Sequence, residues 1–315
     1  MTLIPRTDLD VFPLNLGTNT FGWTSDRETS FAVLDAFVAA GGNFIDTADL
    51  YSVWADGTGG VSEQIIGEWL AARGNRADVV IATKVGGLPT RPGLSQENVT
   101  AALEDSLRRL QTDHVDLYYF HYDDENVSIA DQVRTAHALV ESGKVRHIAL
   151  SNHSPERMRE WFETASREGL TVPVAIQPQY SLLHRADVEQ GYGAIAAEFD
   201  AALLPYFSLA SGLLTGKYRT AEDLEGAARK DFASGYLGDA TFGVVDALVE
   251  IAEAHRTAPA TVALAWLLAK GVTAPIASAS RVEQLPALMA APSLALTEDE
   301  IARLDAASES YAQAA

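Results

Sequence analysis

Four residues of this chain are of types that could move a proton together. Asp46 closes the apolar run Asn43-Phe44-Ile45, and Tyr51 follows in the next few residues. Lys84 closes Val79-Val80-Ile81-Ala82-Thr83, and His121 closes Val115-Asp116-Leu117-Tyr118-Tyr119-Phe120. A phenol with an ordinary pKa near ~10 is a poor acid at neutral pH. An ammonium beside it stabilises the phenolate and lowers that value. A buried lysine would lose its own proton unless an acid balanced it, which is a role for Asp46. The imidazole can hydrogen-bond a substrate oxygen and orient it. The set suits protonation of a carbonyl oxygen while a hydride arrives at carbon. No side chain supplies a hydride, so a cofactor is required.

These residues meet only if their strands converge. The apolar runs read as strands over 14–17, 44–47, 79–84, 115–121, 145–150, 174–177, 202–204 and 272–276. Amphipathic stretches read as helices over 30–40, 62–73, 97–110, 129–141, 155–167, 188–198, 242–255, 259–270, 282–290 and 297–307. Ser62 and Ser154 are expected as N-caps, and Pro155 sits at a first helical position. The strands are apolar on both faces, which belongs to a parallel sheet covered by helices. Eight such βα units predict an α/β fold, a closed (β/α)8 TIM barrel, as a single domain over 1–315. A doubly wound open sheet would carry a Gly-rich turn after the first strand, and Gly17-Thr18-Asn19-Thr20 is not one. In a barrel the strand ends share one mouth, and there Asp46, Tyr51, Lys84 and His121 are joined by Ser151, Asn152 and Gln177.

Composition narrows the function further. The 315 residues include 23 Lys and Arg against 43 Asp and Glu, a formal net charge of −20. So acidic a surface disfavours nucleic acid and anionic membranes, and an anionic ligand would need a local cluster of cations. There is no cysteine, which removes disulfides, thiolate metal sites and Cys nucleophiles and fits a cytoplasmic setting. No apolar run is long enough to span a membrane, and residues 1–10 do not read as a leader. No paired metal-ligand spacing is present, so no metal is expected. Gly191-Tyr192-Gly193-Ala194-Ile195-Ala196 fits G-x-G-x-x-A, but no strand precedes it.

Several motifs together carry a family resemblance. Phe44-Ile45-Asp46-Thr47-Ala48-Asp49-Leu50-Tyr51, Ala82-Thr83-Lys84, Asp116-Leu117-Tyr118-Tyr119-Phe120-His121, Lys144-Val145-Arg146-His147-Ile148-Ala149-Leu150-Ser151-Asn152, Gln177-Pro178-Gln179-Tyr180-Ser181 and Leu213-Leu214-Thr215-Gly216-Lys217-Tyr218 resemble, in order, the signatures of the aldo-keto reductases. The match runs over 9–288. The resemblance implies reduction of aldehydes and ketones by NADPH, with Tyr51 as general acid, Lys84 and Asp46 as its tuners and His121 as the carbonyl orienter. It implies that Ser151, Asn152 and Gln177 hold the nicotinamide carboxamide and that Tyr206, followed by Phe207, forms the stacking platform. Gly17, Thr18, Asn19 and Asp46 line the same end of the cofactor. Residues 209–218, with Leu209, Gly212 and Lys217, match the segment that wraps the pyrophosphate. Ser278, Ser280, Arg281 and Gln284 match the adenosine ribose phosphate site, where the guanidinium fork of Arg281 favours NADPH over NADH. Trp23 and Trp54 lie in loops where the small-molecule carbonyl substrate would bind.

The chain departs from that pattern in three places. Phe207-Ser208 replaces the usual Ser-Pro, Ala277-Ser278 replaces Pro-Gly, and Leu288 replaces an Asn. These changes are expected to alter the stacking platform, the backbone approach to the cofactor and an adenine contact. Two other functions compete. A cofactor-binding regulatory barrel with little turnover is allowed by the resemblance, since related barrels serve as channel subunits. A hydrolase or isomerase without nicotinamide would need a metal or carboxylate pair that the sequence does not offer. Both a monomer and a homo-oligomer fit the sequence.

Overall fold

A computed structural model describes residues 1–218, 220, 223 and 236–313. A short antiparallel hairpin, β1 (Thr2–Leu3) and β2 (Asp10–Val11), precedes the main sheet. The sheet holds β3 (Asn15–Gly17), β4 (Phe44–Asp46), β5 (Val80–Val85), β6 (Val115–Phe120), β7 (Val145–Ser151), β8 (Ala175–Gln177), β9 (Ala202–Leu203) and β10 (Ile276–Ala277). All its pairings are parallel, in the order β10-β3-β4-β5-β6-β7-β8-β9. The two edges approach each other where Thr273 N–H donates to Leu203 O at 3.0 Å and Ile276 N–H to Pro205 O at 2.9 Å. The architecture is a (β/α)8 barrel of parallel strands with helices between them.

Strand side chains alternate between two cores, as a period of two requires. Phe44, Ala82, Leu117, Tyr119, Ala149 and Ala175 fill the inside of the sheet, closed below by Ile4, Leu9 and Val11 of the hairpin. Ile45, Ile81, Tyr118, Phe120, Ile148 and Ile176 face the helices. This alternation aims Asp46, Lys84 and His121 inward, because each lies two residues beyond an inward neighbour. Burial of each large aliphatic side chain contributes about 1.5–3 kcal/mol, so a register slip of one residue would invert both cores.

The helices begin where short polar side chains can satisfy free backbone N–H groups. Asp26, Ser95, Ser128 and Ser154 cap the helices Arg27–Ala39, Gln96–Leu110, Ile129–Glu141 and Pro155–Glu168. Thr297 and Glu300 form a capping box on Glu298–Ala307. Ser62 is not the cap expected of it. The helix Val61–Arg73 starts from Gly60 at φ 75, and Ser62 is already inside its first turn, facing the sheet. There its hydroxyl bonds Thr18 Oγ1 at 2.7 Å and Thr47 Oγ1 at 2.9 Å.

Other expectations shift by a few residues. The last strand is Ile276–Ala277 rather than 272–276, because Ile276 pairs with Asn15 of β3 and the preceding residues form the turn out of Pro259–Ala269. The stretch 188–198 divides into a π turn, Val188–Tyr192, and a short helix, Gly193–Glu198. The region 282–290 is a 3-10 turn, Val282–Gln284, followed by Leu285–Met289 with Pro286 in its first turn. Among the described residues no helix is long and apolar enough to cross a membrane.

Candidate active site

Asp46 and Lys84 are both fully buried and form an ion pair across the β4–β5 ladder. Lys84 Nζ also donates to Thr47 O at 2.7 Å and to the Tyr51 hydroxyl at 3.0 Å. The Tyr51 hydroxyl donates to Asp46 Oδ1 at 3.1 Å, and Gln177 Nε2 to Asp46 Oδ2 at 3.0 Å. Asp46 therefore accepts from three strands or loops at once. Removing it would strand the lysine charge in the interior, a loss of about 3–5 kcal/mol.

The backbone explains how Tyr51 reaches that position. Beyond β4 the ladder continues, with Thr47 N–H on Ala82 O at 2.9 Å and Asp49 N–H on Lys84 O at 3.3 Å. A turn then closes from Tyr51 N–H to Ala48 O at 3.2 Å. It swings the phenol back over the strand ends, with Lys84 Nζ 4.6 Å from the ring centroid.

The electrostatics differ in one respect from expectation. Burial, then the Asp46 carboxylate, push the Tyr51 phenol well above its ordinary range, rather than Lys84 drawing it down. A phenol that donates to a carboxylate is stabilised in its neutral form. Burial lowers the Lys84 ammonium, and Asp46 acts in the opposite direction. Burial, then the Lys84 charge, hold His121 well below its ordinary range, so its imidazole is neutral at pH 7. His121 Nδ1 is buried without a partner among the described residues, and the ring stacks on Tyr122 at 4.6 Å.

A family model described as the aldo/keto reductase family matches residues 13–309. The chain belongs to the aldo/keto reductase family. It is 34% identical to "Protein tas" of Escherichia coli over 98% of this chain and 97% of that protein. It is 33% identical to norsolorinic acid reductase stcV of Emericella nidulans, over 96% of this chain and 80% of that protein. It is 31% identical to a probable voltage-gated potassium channel subunit beta of rice, Oryza sativa subsp. japonica, over 97% and 95%. The chain is thus a member of an oxidoreductase family whose enzymes use nicotinamide cofactors.

The residues that the family resemblance assigns to the cofactor fall into two groups. The first is hydrogen-bonded to the Asp46 cluster. Ser151 Oγ donates to Gln177 O at 2.8 Å, and Asn152 Nδ2 donates to Ser151 Oγ at 3.0 Å and to His121 O at 2.9 Å. The Tyr206 hydroxyl donates to Asn152 Oδ1 at 2.9 Å. His121 O can only accept, so the orientation of the Asn152 amide follows from chemistry. Thr18 is sealed inside, its hydroxyl donating to Asp46 O at 2.8 Å. Phe207 sets its ring edge-on to Tyr206 at 5.2 Å.

The second group lies on loops. Phe207, Ala210 and Ser211 have φ of 54, 45 and 57, and Gly212 has φ 99. Left-handed backbone at non-glycine residues costs about 1–3 kcal/mol each and collects at functional sites. Lys217 follows this run, with Nζ 4.5 Å from the Tyr218 ring. Ser278 Oγ donates to Asn19 Oδ1 at 2.6 Å, and Ser280 N–H donates to Gln284 Oε1 at 2.7 Å. Arg281 is mostly exposed, with Glu283 3.9 Å away. Gly17 lies against β10, where a Cβ would stand 2.8 Å from both Ile276 and Ser278.

At the mouth, Trp23 and Trp54 meet edge to face at 5.6 Å, and Tyr51 lies 6.1 Å from Trp54. Sequence reasoning missed Tyr122, an exposed ring over His121. Its place directly after the candidate histidine was the available signal. It also missed the buried acids Asp49 and Glu63 with the half-buried Arg109, a cluster outside the sheet that no local pattern announces.

Proposed function

We propose that this chain, as one domain over 1–315, reduces aldehydes or ketones by hydride transfer from NADPH, with Tyr51 as general acid. The observation that carries this reading is the Tyr51 hydroxyl held between the Lys84 ammonium at 3.0 Å and the Asp46 carboxylate at 3.1 Å. The raised phenol is not an obstacle. As the carbonyl oxygen gains charge it becomes an alkoxide, a far stronger base than a phenolate. The Tyr51 hydroxyl turns from Asp46 to that oxygen and gives up its proton, and Lys84 stabilises the phenolate left behind. Neutral His121 donates one hydrogen bond to the same oxygen and fixes its position. Asp46 keeps Lys84 charged throughout.

The donor set fits a nicotinamide nucleotide. Ser151, Asn152 and Gln177 offer amide and hydroxyl groups beside the acid, Tyr206 offers a ring, and Lys217 and Arg281 are cations in an acidic protein. A reduced nicotinamide bound there supplies the hydride. Arg281, with its forked donors and the Glu283 carboxylate 3.9 Å away, supports a preference for a ribose phosphate and hence for NADPH. Trp23, Trp54 and Tyr122 support an apolar carbonyl substrate. The absence of cysteine supports a reducing, cytoplasmic setting.

The test mixes protein, NADPH and an aromatic aldehyde and follows the absorbance of the reduced cofactor. Turnover that Tyr51→Phe abolishes is expected; full turnover in that variant would sink the acid role. A second reading, a cofactor-binding regulatory barrel, draws on the channel-subunit relative. Tight NADPH binding with no turnover over a broad carbonyl panel would favour it.

A further inference from the structure

Behind Lys84 lies a second set of ionisable groups, two buried acids and a half-buried arginine, that carbonyl reduction does not call on. Thr83 faces the helices, and its hydroxyl donates to Glu63 Oε1 at 2.5 Å. Arg109 Nε, from Gln96–Leu110, donates to Glu63 Oε2 at 2.7 Å. Glu63 is fully buried. Gly60, at φ 75, precedes the helix that carries Glu63, and a Cβ there would stand 2.6 Å from Arg109 Nε. At Gly59, φ 73, a Cβ would stand 2.8 Å from Asp49 O. The loop 49–60, which carries Tyr51, therefore begins and ends on this cluster.

Asp49 itself is 2% exposed, and among the described residues its Oδ1 is buried without a hydrogen-bond partner. The fully buried Tyr118 hydroxyl, from β6, likewise has no partner among the described residues. A buried acid with an unmatched oxygen is a cost to folding. Where such a group adjoins a reacting centre, function is the usual reason for it.

We propose that Asp49 is a positioning residue for Tyr51: its carboxyl, enclosed by Glu63, Arg109, Lys84 and Tyr118, seats the 49–60 loop on β5 and so holds the phenol against Lys84. This rests on the reading of Tyr51 as general acid. The seat is direct, since Asp49 N–H bonds Lys84 O and the turn to Tyr51 starts one residue earlier, at Ala48. Burial, then the neighbouring Glu63, push the Asp49 carboxyl up to about 8, against the pull of Arg109, a hydrogen bond from the Leu50 backbone and Lys84. The neutral acid packs in this closed space. Arg109 is bonded to Glu63 rather than to Asp49, so the ionised acid is poorly matched where it lies, and moving it to water lifts the turn and Tyr51 with it.

Two variants at Asp49, made in the 315-residue chain, test this. Asp49→Asn keeps the shape without the ionisation. Its ratio of kcat at pH 9 to kcat at pH 6.5 is expected to exceed the native ratio about threefold or more, a change of the size that one ionising group imposes. Asp49→Leu, which fills the space without polar atoms, is expected to lower kcat about tenfold or more with little change in KM, and Asn at that position to restore most of the loss. Thermal unfolding gives a readout free of turnover. The unfolded chain releases the Asp49 proton above about pH 4 and the folded chain only above about 8. The native protein therefore loses stability across that window, and the Tm advantage of Asp49→Asn should grow from pH 4 to pH 8 and then level. A native alkaline limb retained in Asp49→Asn, or a Tm difference flat with pH, overturns the proposal. With Tyr51→Phe inactive, either result leaves the acid role standing; a fully active Tyr51→Phe overturns both.

Discussion

The β4–β6 side of the barrel mouth and the β9–β10 side are built on different principles. On the first, Asp46 of β4 and Lys84 of β5 are buried and bond each other across the ladder, and the Tyr51 hydroxyl bonds both. On the second, Lys217 and Arg281 stand on loops, backed by left-handed backbone at 210–212 and by single bonds such as Ser278 to Asn19. A proton donor has to be held at fixed distances before substrate arrives, and crossed bonds between strands do that. On the proposed function, a long anionic cofactor has to enter and leave, and exposed cations on loops would hold it without trapping it. The bridge between the two sides is the chain of bonds from Tyr206 through Asn152, Ser151 and Gln177 to Asp46.

The contrast can be broken from either side. The largest effect is expected from Lys84→Met, which removes the cation beside Tyr51: kcat should fall about 10³-fold, within the range of general acid catalysis, while NADPH affinity measured by fluorescence quenching changes little. Equal losses in both would mean that the two sides are not separable. Gln177→Leu cuts the bridge and should lower kcat/KM about 10–100-fold, since it leaves an Asp46 oxygen unpaired. Arg281→Ala should raise the NADPH Kd about tenfold, the equivalent of one charge-assisted hydrogen bond, and leave the NADH Kd and the single-turnover rate at saturation unchanged. Ser278→Ala removes one partly buried hydrogen bond, worth about 1 kcal/mol, and should loosen NADPH binding by a few-fold at most. An effect of Ser278→Ala as large as that of Arg281→Ala would place the anchor in the loop bond rather than in the cation.

The barrel was legible because eight apolar runs alternate with amphipathic helices, and the strand ends marked Asp46, Lys84 and His121 as neighbours. Tyr51 was legible through its spacing from Asp46. The cap at Gly60 was not, because a serine two residues later matched the usual signal while its hydroxyl was claimed by Thr18 and Thr47. Nor was the register of the last strand, since residues 272–276 are as apolar as a strand and pairing with Asn15 alone decides where it begins. Glu63 and Arg109 gave no sign of each other, lying 46 residues apart on separate helices.

What the sequence by itself determined is the order of strands and helices, the family, and which polar residues close the buried strands. These follow from local hydrophobic period, which every residue reports about its near neighbours. Only the tertiary structure decided that Asp46 serves Lys84, Tyr51 and Gln177 together, that Tyr51 keeps its proton more firmly than its lysine neighbour suggested, and that one carboxyl oxygen of Asp49 is buried near Glu63 and Arg109 without a partner among the described residues. Hydrogen bonds and desolvation depend on distances of a few ångströms between residues far apart in the chain, and folding alone sets those distances.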